Sequence, residues 1–155
     1  MDYENPKTRK TTKMNNIVED LKKRIGQESK DSSPSPFGGW LNGKLLAVEA
    51  GEVSIAFEVR KEFTNPYGNM HGGATAGIMD EIMGMTLFTL GNQGFFVATN
   101  LTVDFLRPSK LGDTITANSK VVRAGKVLSH VVCEIVDKDG RLLSKASSNL
   151  IKTSM

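Results

Sequence analysis

The sequence predicts an α+β fold in which one antiparallel sheet covers one long helix. The first observation is that residues 72–90 are almost all apolar or small, which predicts a helix buried in the protein. The second is that alternating apolar and polar residues predict two strands before this helix and three or four after it. Short turns separate the later segments, so they are expected to form an antiparallel meander.

Length and composition are those of one ordinary folded domain with a short extension. The chain has 155 residues, of which 39% are hydrophobic and 24% are charged, so it can bury a core without disulfides or structural metals. Cys133 is the only cysteine, and the spacing of a CxxC or HExxH motif is missing around His71 and His130. We therefore expect no metal site and no intrachain disulfide, and by default a reducing cytoplasm.

The net charge of +3 and the pI of about 9.0 are mild. Much of the basic excess lies near the N-terminus, in Lys7, Arg9, Lys10 and Lys13. Nucleic-acid binding would need a denser basic face with aromatic residues between the charges, so no nucleic-acid partner is expected. Neither a membrane span nor a signal peptide is expected, because the apolar runs that they need are missing.

The first 35 residues are predicted to be a tail and a short amphipathic helix. Residues 1–14 are polar and typical of a mobile tail. Asn16 begins a sequence typical of a capping box, and apolar residues at helical spacing then predict a helix over 16–28. These apolar residues are Val18, Leu21 and Ile25. Serines and prolines over 29–36 indicate a linker, so the main domain is placed at 36–155.

The other elements are strands joined by turns. Residues 44–50 and 52–60 alternate apolar and polar side chains around Gly51, which predicts a hairpin. The segment 65–69 has the composition of a loop. Further strands are predicted over 95–107, 113–123, 127–137 and 141–152. The dipeptide Asp139-Gly140 between the last two is a strong hairpin signal.

The predicted helix contains two adjacent acids, Asp80 and Glu81. On a helical wheel Asp80 shares its side with small residues and one methionine: Gly73, Ala76, Gly77, Met83 and Gly84. A buried carboxylate is costly unless it is paired or used, and missing side chains beside it leave room for a substrate. Burial raises a carboxyl pKa, which suits a general base or acid. The alternative is that either acid bonds across a subunit interface.

The start of this helix is the sequence His71-Gly72-Gly73. The first N–H groups of a helix lack intrahelical partners, and the helix dipole adds positive potential there. Glycines allow a ligand to approach these groups, so the helix start is a candidate oxyanion hole for acyl chemistry. The alternatives are an ordinary glycine-containing helix start and a histidine with a structural hydrogen bond.

The strand after the helix supplies a third polar group. Within residues 97–105 the odd positions are apolar except for Thr99. Since this face must cover the helix, we expect Thr99 to turn its hydroxyl toward the core side. The alternative is an ordinary β-branched strand residue, which is common.

Together these residues resemble the hotdog-fold thioesterases of the PaaI-like family, the phenylacetate-pathway thioesterases. The matching segments are Asn65-Pro66-Tyr67-Gly68-Asn69-Met70-His71-Gly72-Gly73, Asp80 nine residues after the histidine, Thr102-Val103-Asp104-Phe105-Leu106-Arg107-Pro108 and Leu111-Gly112-Asp113. The resemblance covers about residues 36–152. It implies a sheet wrapped around one long central helix, and hydrolysis of acyl-CoA thioesters without a cofactor.

The resemblance also implies roles for individual residues. Asp80 matches the catalytic acid, which acts as general base on water or as nucleophile on the thioester carbonyl. The Gly72 backbone N–H matches the oxyanion donor. Asn65 matches a polar residue that positions water or the carbonyl, and His71 supports that loop. Thr99 is the candidate for a helper hydroxyl in the following strand, with Ala98 in the alternative register.

In the family the site lies between two subunits, which implies a homodimer or a dimer of dimers. Gly73, Met83 and Gly84 are expected to contact substrate beside Asp80. Basic residues near the strand ends are candidates for the CoA phosphates, although each also fits a solvated surface position. These residues are Arg107, Lys110, Arg123 and Lys126.

Three other functions are alternatives to thioester hydrolysis. The same fold includes acyl-CoA hydratases and dehydratases, but these need a different spacing of acid and histidine. A non-catalytic acyl-CoA-binding or regulatory protein is a second alternative, and a scaffold protein with Asp80 in an interface is a third. Glu81 lies about 100° around the helix from Asp80 and is the rival acid.

Overall fold

The computed structural model describes residues 6–91 and 94–153. Its helices are α1 (Pro6–Lys22), α2 (Pro36–Leu41) and α3 (Gly72–Phe88), with a 3₁₀ turn at Lys61–Phe63. Its strands are β1 (Lys44–Glu49), β2 (Glu52–Glu58), β3 (Phe95–Phe105), β4 (Thr114–Ala124), β5 (Leu128–Asp137) and β6 (Leu142–Thr153).

Within these ranges, six strands form one antiparallel sheet in the order β1-β2-β4-β5-β6-β3. The helix α3 packs against one face of this sheet, where it contacts β2 to β6. The strand β3 follows α3 in the chain and forms the edge of the sheet next to β6, opposite the edge formed by β1. The predicted α+β arrangement, with a sheet wrapped around one long helix, is confirmed.

Burial of α3 against the sheet forms the hydrophobic core. Ile78, Met79 and Ile82 are at most 1% exposed, and their spacing places them on one side of the helix. The inward positions of the strands alternate with outward ones, as Ile115 and Ala117 of β4 show. Burying these apolar side chains is the main stabilising contribution to the fold.

The N-terminal helix is longer at its start than predicted. Helix α1 begins at Pro6 and ends at Lys22, whereas the pattern predicted a helix over 16–28. Proline is tolerated at the first helical position because its missing N–H has no partner there anyway. Asn16 therefore lies inside the helix and is not a cap, and the mobile tail is wrong for residues 6–14. Residues 1–5 lie outside the described residues.

The apolar residues of this region are only partly buried. Val18 is 5% exposed and Leu21 packs against the core, whereas Ile25 follows the end of the helix and is 46% exposed. The chain then runs beside β1, where Gln27 accepts a hydrogen bond from the Leu45 N–H. The domain boundary at residue 36 remains a prediction. None of the described helices is long and apolar enough to cross a membrane.

A short helix, α2, begins at the last residue of the predicted linker. Ser35 is its N-cap and accepts a hydrogen bond from the Gly38 N–H at 3.1 Å, and Pro36 is its first residue. A serine cap followed by proline is a helix-start signal. The linker interpretation missed this signal because the segment is so rich in turn-forming residues.

A bulge in β3 corrects the orientation predicted for Thr99. The pairing with β6 shifts between Ala98 and Asn100, so Thr99 is the extra residue. An extra residue changes which positions face the core. Phe96 packs against the core before the bulge and Leu101 packs against it afterwards. Thr99 itself is exposed, so the prediction of a hydroxyl on the core side is wrong.

Candidate active site

Asp80 lies in the middle of α3, on the side that points away from the sheet. The residue is exposed in the protomer, and within residues 6–91 and 94–153 its carboxylate has no hydrogen-bond or ion-pair partner. The protein atoms around the carboxyl group nevertheless displace water, and this desolvation raises the pKa of Asp80. An unpaired carboxylate with a raised pKa is suited to accept a proton.

Glycines on the same side of α3 leave an open groove beside Asp80, which we call the glycine strip. It consists of Gly73, Gly77 and Gly84. A Cβ atom added at Gly84 would meet nothing within 4 Å, and one added at Gly73 would meet only the ring of His71. Gly77 differs because the ring of Phe37 lies over it. The strip therefore has room for another molecule next to the acid.

Two predictions about α3 are wrong for the protomer. The helix is not buried all round, since Gly73, Asp80 and Gly84 are exposed. Met83 does not border the glycine strip, because it is 0% exposed and lies in the core. Three residues turn a helix by about 300°, which places Met83 about 60° from Asp80 on the side toward the sheet.

The first turn of α3 presents a free backbone donor. His71 is the N-cap, and its Nδ1 accepts a hydrogen bond from the Gly73 N–H at 2.8 Å. The Gly72 N–H makes no hydrogen bond to any of the residues that the structure describes. The ring of Phe105 lies over Gly72, where an added Cβ would be 3.2 Å from its Cζ. A free N–H at the positive end of a helix dipole suits an oxyanion.

The loop before α3 orients Asn65. Its Oδ1 accepts hydrogen bonds from the Tyr67 N–H at 2.9 Å and the Asn69 N–H at 3.2 Å, which shapes the loop. Among the described residues nothing accepts a hydrogen bond from its Nδ2, so this group is left as a donor. Asn65, Gly72 and Arg107 line one cleft of about 430 Å³. The structure therefore brings together three of the predicted site residues.

Asp80 of the same chain does not line this cleft. Eight residues of α3 separate Asp80 from Gly72, a distance of about 12 Å along the helix axis. A thioester carbonyl in contact with the Gly72 N–H is therefore out of reach of the Asp80 carboxylate of its own chain. The two halves of the predicted site are both present, but they lie apart in one protomer.

The four basic residues predicted to meet phosphates divide between two places. Arg107 lines the cleft, and Lys110 pairs through its backbone with Asn69 beside it. Arg123 and Lys126 lie near the other end of β4, which has 11 residues, and such a strand is about 35 Å long. Within one protomer only Arg107 and Lys110 are near Asn65 and Gly72.

Two other candidates are bonded elsewhere. The Thr99 hydroxyl donates to the Asn149 carbonyl oxygen at 3.0 Å. Glu81 is half-buried and accepts a hydrogen bond from Ser35 Oγ at 3.2 Å, which connects α3 to the start of α2. Asp80 is therefore the unpaired acid of the two. Sequence reasoning missed the contact between Ser35 and Glu81, which are 46 positions apart.

A larger concave region of about 760 Å³ lies along the sheet, lined by Glu49, Lys120 and Glu134 among others. It contains none of the residues predicted to be catalytic, so its size does not make it the candidate site. In the described part of the chain, no three His, Cys, Asp or Glu side chains are placed to hold a metal ion.

Comparison with known proteins identifies the family. Residues 67–144, about half of the chain, match the Thioesterase superfamily, and this segment contains both Gly72 and Asp80. The chain belongs to the thioesterase superfamily. Acyl-coenzyme A thioesterase 13 of Homo sapiens is 31% identical to it over 106 residues, which cover 66% of this chain and 76% of the relative.

Solved structures agree with this membership of the thioesterase superfamily. A hypothetical thioesterase from Streptococcus pneumoniae TIGR4, solved with coenzyme A, has a TM-score of 0.69 and 26% identity over 74% of this chain and 90% of its own. The PaaI protein of E. coli has a TM-score of 0.74 over 92% of this chain and 95% of its own, at 20% identity, which shows the fold. The PaaI-like resemblance and the hotdog fold are thus confirmed.

Proposed function

We propose that the protein hydrolyses acyl-CoA thioesters to a free acid and CoA, with Asp80 as the general base or nucleophile. The observation that carries this proposal is an unpaired carboxylate with a raised pKa, placed beside a groove of glycines. Two comparisons support the substrate class. The human relative is named an acyl-coenzyme A thioesterase, and the streptococcal thioesterase structure contains coenzyme A.

The chemistry follows from the atoms available. In the general-base route, ionised Asp80 takes a proton from water as the water oxygen attacks the thioester carbonyl carbon. The carbonyl oxygen becomes an oxyanion, to which the Gly72 N–H donates a hydrogen bond. When the tetrahedral intermediate collapses, the C–S bond breaks and the CoA sulfur receives the proton from Asp80. In the nucleophile route the Asp80 carboxylate attacks the carbonyl carbon, the C–S bond breaks, and CoA leaves as a thiolate that takes a proton from solvent. Water then hydrolyses the mixed anhydride, which releases the free acid and restores Asp80.

The distance between Gly72 and Asp80 supports a site that two subunits share. The free edge of the sheet is suited to join them, because β3 is 11 residues long and unpaired backbone groups on an edge strand favour pairing. Phe95 and Phe105, near its two ends, are 57% and 58% exposed. We propose a homodimer, or a dimer of dimers, in which Asp80 of one subunit faces the Asn65–Gly72 loop of the other.

The basic residues beside the cleft are candidates for binding the phosphates of CoA. Arg107 lines the cleft and Lys110 pairs through its backbone with Asn69 beside it, so these two are the better candidates for the phosphates of CoA. Arg123 and Lys126 would take part only if a second subunit brought them there. Arg107 also donates from Nη1 to the Leu142 carbonyl at 2.7 Å, which fixes its position.

The test is thiol release from a panel of acyl-CoA substrates by the wild type and by Asp80→Asn. The expected result is turnover by the wild type and a loss of about 10²–10⁴-fold in Asp80→Asn. Asp139→Asn is the matched control, because Asp139 is exposed in the turn between β5 and β6. CoA binding without thiol release by the wild type would favour a non-catalytic binder. If Glu81→Gln loses turnover while Asp80→Asn keeps it, Glu81 is the catalytic carboxylate instead of Asp80.

The protein's own thiol does not disturb this assay. Cys133 is buried, and burial raises the pKa of its thiol to about 12. A thiol in that environment stays protonated and unreactive toward thiol reagents at pH 8. The signal therefore reports CoA alone.

A further inference from the structure

An aromatic side chain of α2, Phe37, lies over one border of the glycine strip. A Cβ atom added at Gly77 would be 2.9 Å from Phe37 Cζ and 3.3 Å from its Cε1, so the edge of the phenyl ring rests on the glycine. Phe37 is nevertheless 45% exposed. One side of the ring thus covers α3, and the other side of the ring is open.

This ring is close to Asp80 along the helix. Three residues separate Gly77 from Asp80, which is about 4.5 Å along the axis and about 60° around it. The ring of Phe37 and the carboxylate of Asp80 therefore border the same groove from two sides. An acyl group whose carbonyl lies beside Asp80 and whose tail follows the strip toward Gly77 would meet Phe37.

Neighbouring groups hold this ring in place. Phe37 stacks on Trp40, with ring centroids 5.8 Å apart, and Trp40 meets Phe63 edge-on at 5.4 Å. The Arg60 guanidinium lies 4.0 Å from the Phe63 ring centroid and donates to the carbonyl oxygens of Trp40 and Leu41. We call the pair Phe37 and Trp40 the aromatic wall. It is a supported surface rather than a single loose side chain.

Glu81 fixes the position of the aromatic wall relative to Asp80. Its carboxylate accepts the hydrogen bond from Ser35 Oγ at the cap of α2. It also packs directly on Gly38, where an added Cβ would be 2.3 Å from Glu81 Oε1. A larger residue at position 38 would displace the Glu81 carboxylate, so α2 lies in close contact with α3 one residue after the catalytic candidate.

We infer that Phe37 forms the acyl side of the thioester site and that Glu81 is the positioning residue that holds it there. The inference rests on the proposed function and adds the substrate class and the role of Glu81. The group that the wall contacts is apolar and extends at least about four atoms beyond the thioester carbonyl, since it must cover one helical turn from Asp80. An acetyl group is too short to reach the ring.

The test compares kcat/KM for acetyl-CoA, octanoyl-CoA and phenylacetyl-CoA in the wild type and in Phe37→Ala. In Phe37→Ala we expect kcat/KM to fall about tenfold or more for octanoyl-CoA, phenylacetyl-CoA or both. The kcat/KM for acetyl-CoA should change by less than about twofold. The two long substrates distinguish a chain from a ring as the preferred group. Leu46→Ala on β1 is the control, since Leu46 is 42% exposed and lies outside the site.

Glu81 is tested by rescue. Glu81→Ala removes the acceptor for Ser35 Oγ and should lower the ratio of octanoyl to acetyl turnover. Glu81→Gln keeps a side-chain oxygen that accepts this hydrogen bond, so it should restore the wild-type ratio. A purely structural role would change Tm without changing this ratio.

The outcomes separate this inference from the proposed function. If the wild type hydrolyses none of the three substrates, the proposed function fails. Suppose instead that the wild type is active and that Phe37→Ala is folded and has the same native mass as the wild type. If this variant keeps the wild-type ratio of kcat/KM for the longer substrates to kcat/KM for acetyl-CoA, only the inference fails. A changed native mass of Phe37→Ala would place the ring in a subunit interface, and this also overturns the inference.

Discussion

Asp80 and Glu81 are adjacent and both carry a carboxylate, but their surroundings differ. They are about 100° apart on the helix. Glu81 faces α2 and accepts a hydrogen bond from Ser35, whereas Asp80 faces the open glycine strip with a raised pKa. One acid is used for structure and the other remains available for chemistry. The sequence alone left both possibilities open.

The raised pKa of Asp80 predicts that the acid destabilises the fold at neutral pH. A folded-state pKa above the unfolded value means that the native state binds the proton more tightly, so stability falls as pH rises through that interval. Asp80→Asn removes this cost. Its Tm at pH 7 should exceed that of the wild type by up to about 3 °C, since solvent screens an exposed group.

Thermal unfolding at pH 7 and at pH 3 measures this difference. The advantage of Asp80→Asn should disappear at the lower pH, where the wild-type carboxyl is protonated in both the folded and the unfolded state. A Tm of Asp80→Asn below that of the wild type at pH 7 would contradict the raised pKa, and would indicate a stabilising partner for the carboxylate.

At the scale of single elements, the start of α3 allows one hydrogen-bond donor, the Gly72 N–H, to be removed by a single substitution. Gly72 is the first helical residue, where proline is tolerated, and His71 before it has φ −68° and ψ 136°, which suits a residue preceding proline. Gly72→Pro therefore deletes the N–H with little change in backbone. Its turnover should be about 10²–10³-fold below that of Gly72→Ala.

The comparison with alanine isolates the donor. Both variants place a Cβ against the ring of Phe105, so the contact of the Cβ with this ring is common to them. Proline differs in having ring carbons in place of the N–H. Single-turnover rates with one acyl-CoA measure the difference. Equal rates for the two variants would show that the Gly72 N–H does not bind the oxyanion.

The elements that the sequence predicted well are those with a continuous apolar pattern. The hairpin around Gly51, the helix α3 and the four later strands bury one face, and burial imposes a period that can be read directly. The start of α1 at Pro6 was missed because its first turns are rich in charged and polar residues, which give no such period. The short helix α2 was hidden among turn-forming residues.

The candidate site was predictable only where its chemistry is local. Gly72, His71 and Asp80 belong to one helix, so helical geometry alone relates them. The bulge at Thr99 reverses the faces of β3, and nothing in the composition of that strand indicates it. The contact between Phe37 and Gly77 depends on how α2 folds back on α3, which requires tertiary structure.

At the scale of the whole molecule, the protomer contains both halves of the proposed site, but they lie apart. The cleft with Asn65 and Gly72 lies at one end of α3, and Asp80 lies about 12 Å along the helix. A two-fold axis beside the edge strand β3 would give each cleft an acid from the other subunit. We therefore propose that two subunits share each site.

The most direct test of this claim is complementation between two inactive variants. Asp80→Asn and Gly72→Pro are co-expressed with different tags, and the mixed dimer is purified through both tags. One of its two sites then combines the intact Asp80 of one subunit with the intact Gly72 of the other. If two subunits share each site, the mixed dimer regains about half of the wild-type turnover, because one of two equivalent sites is complete. A mixed dimer as inactive as its parents would contradict the shared site.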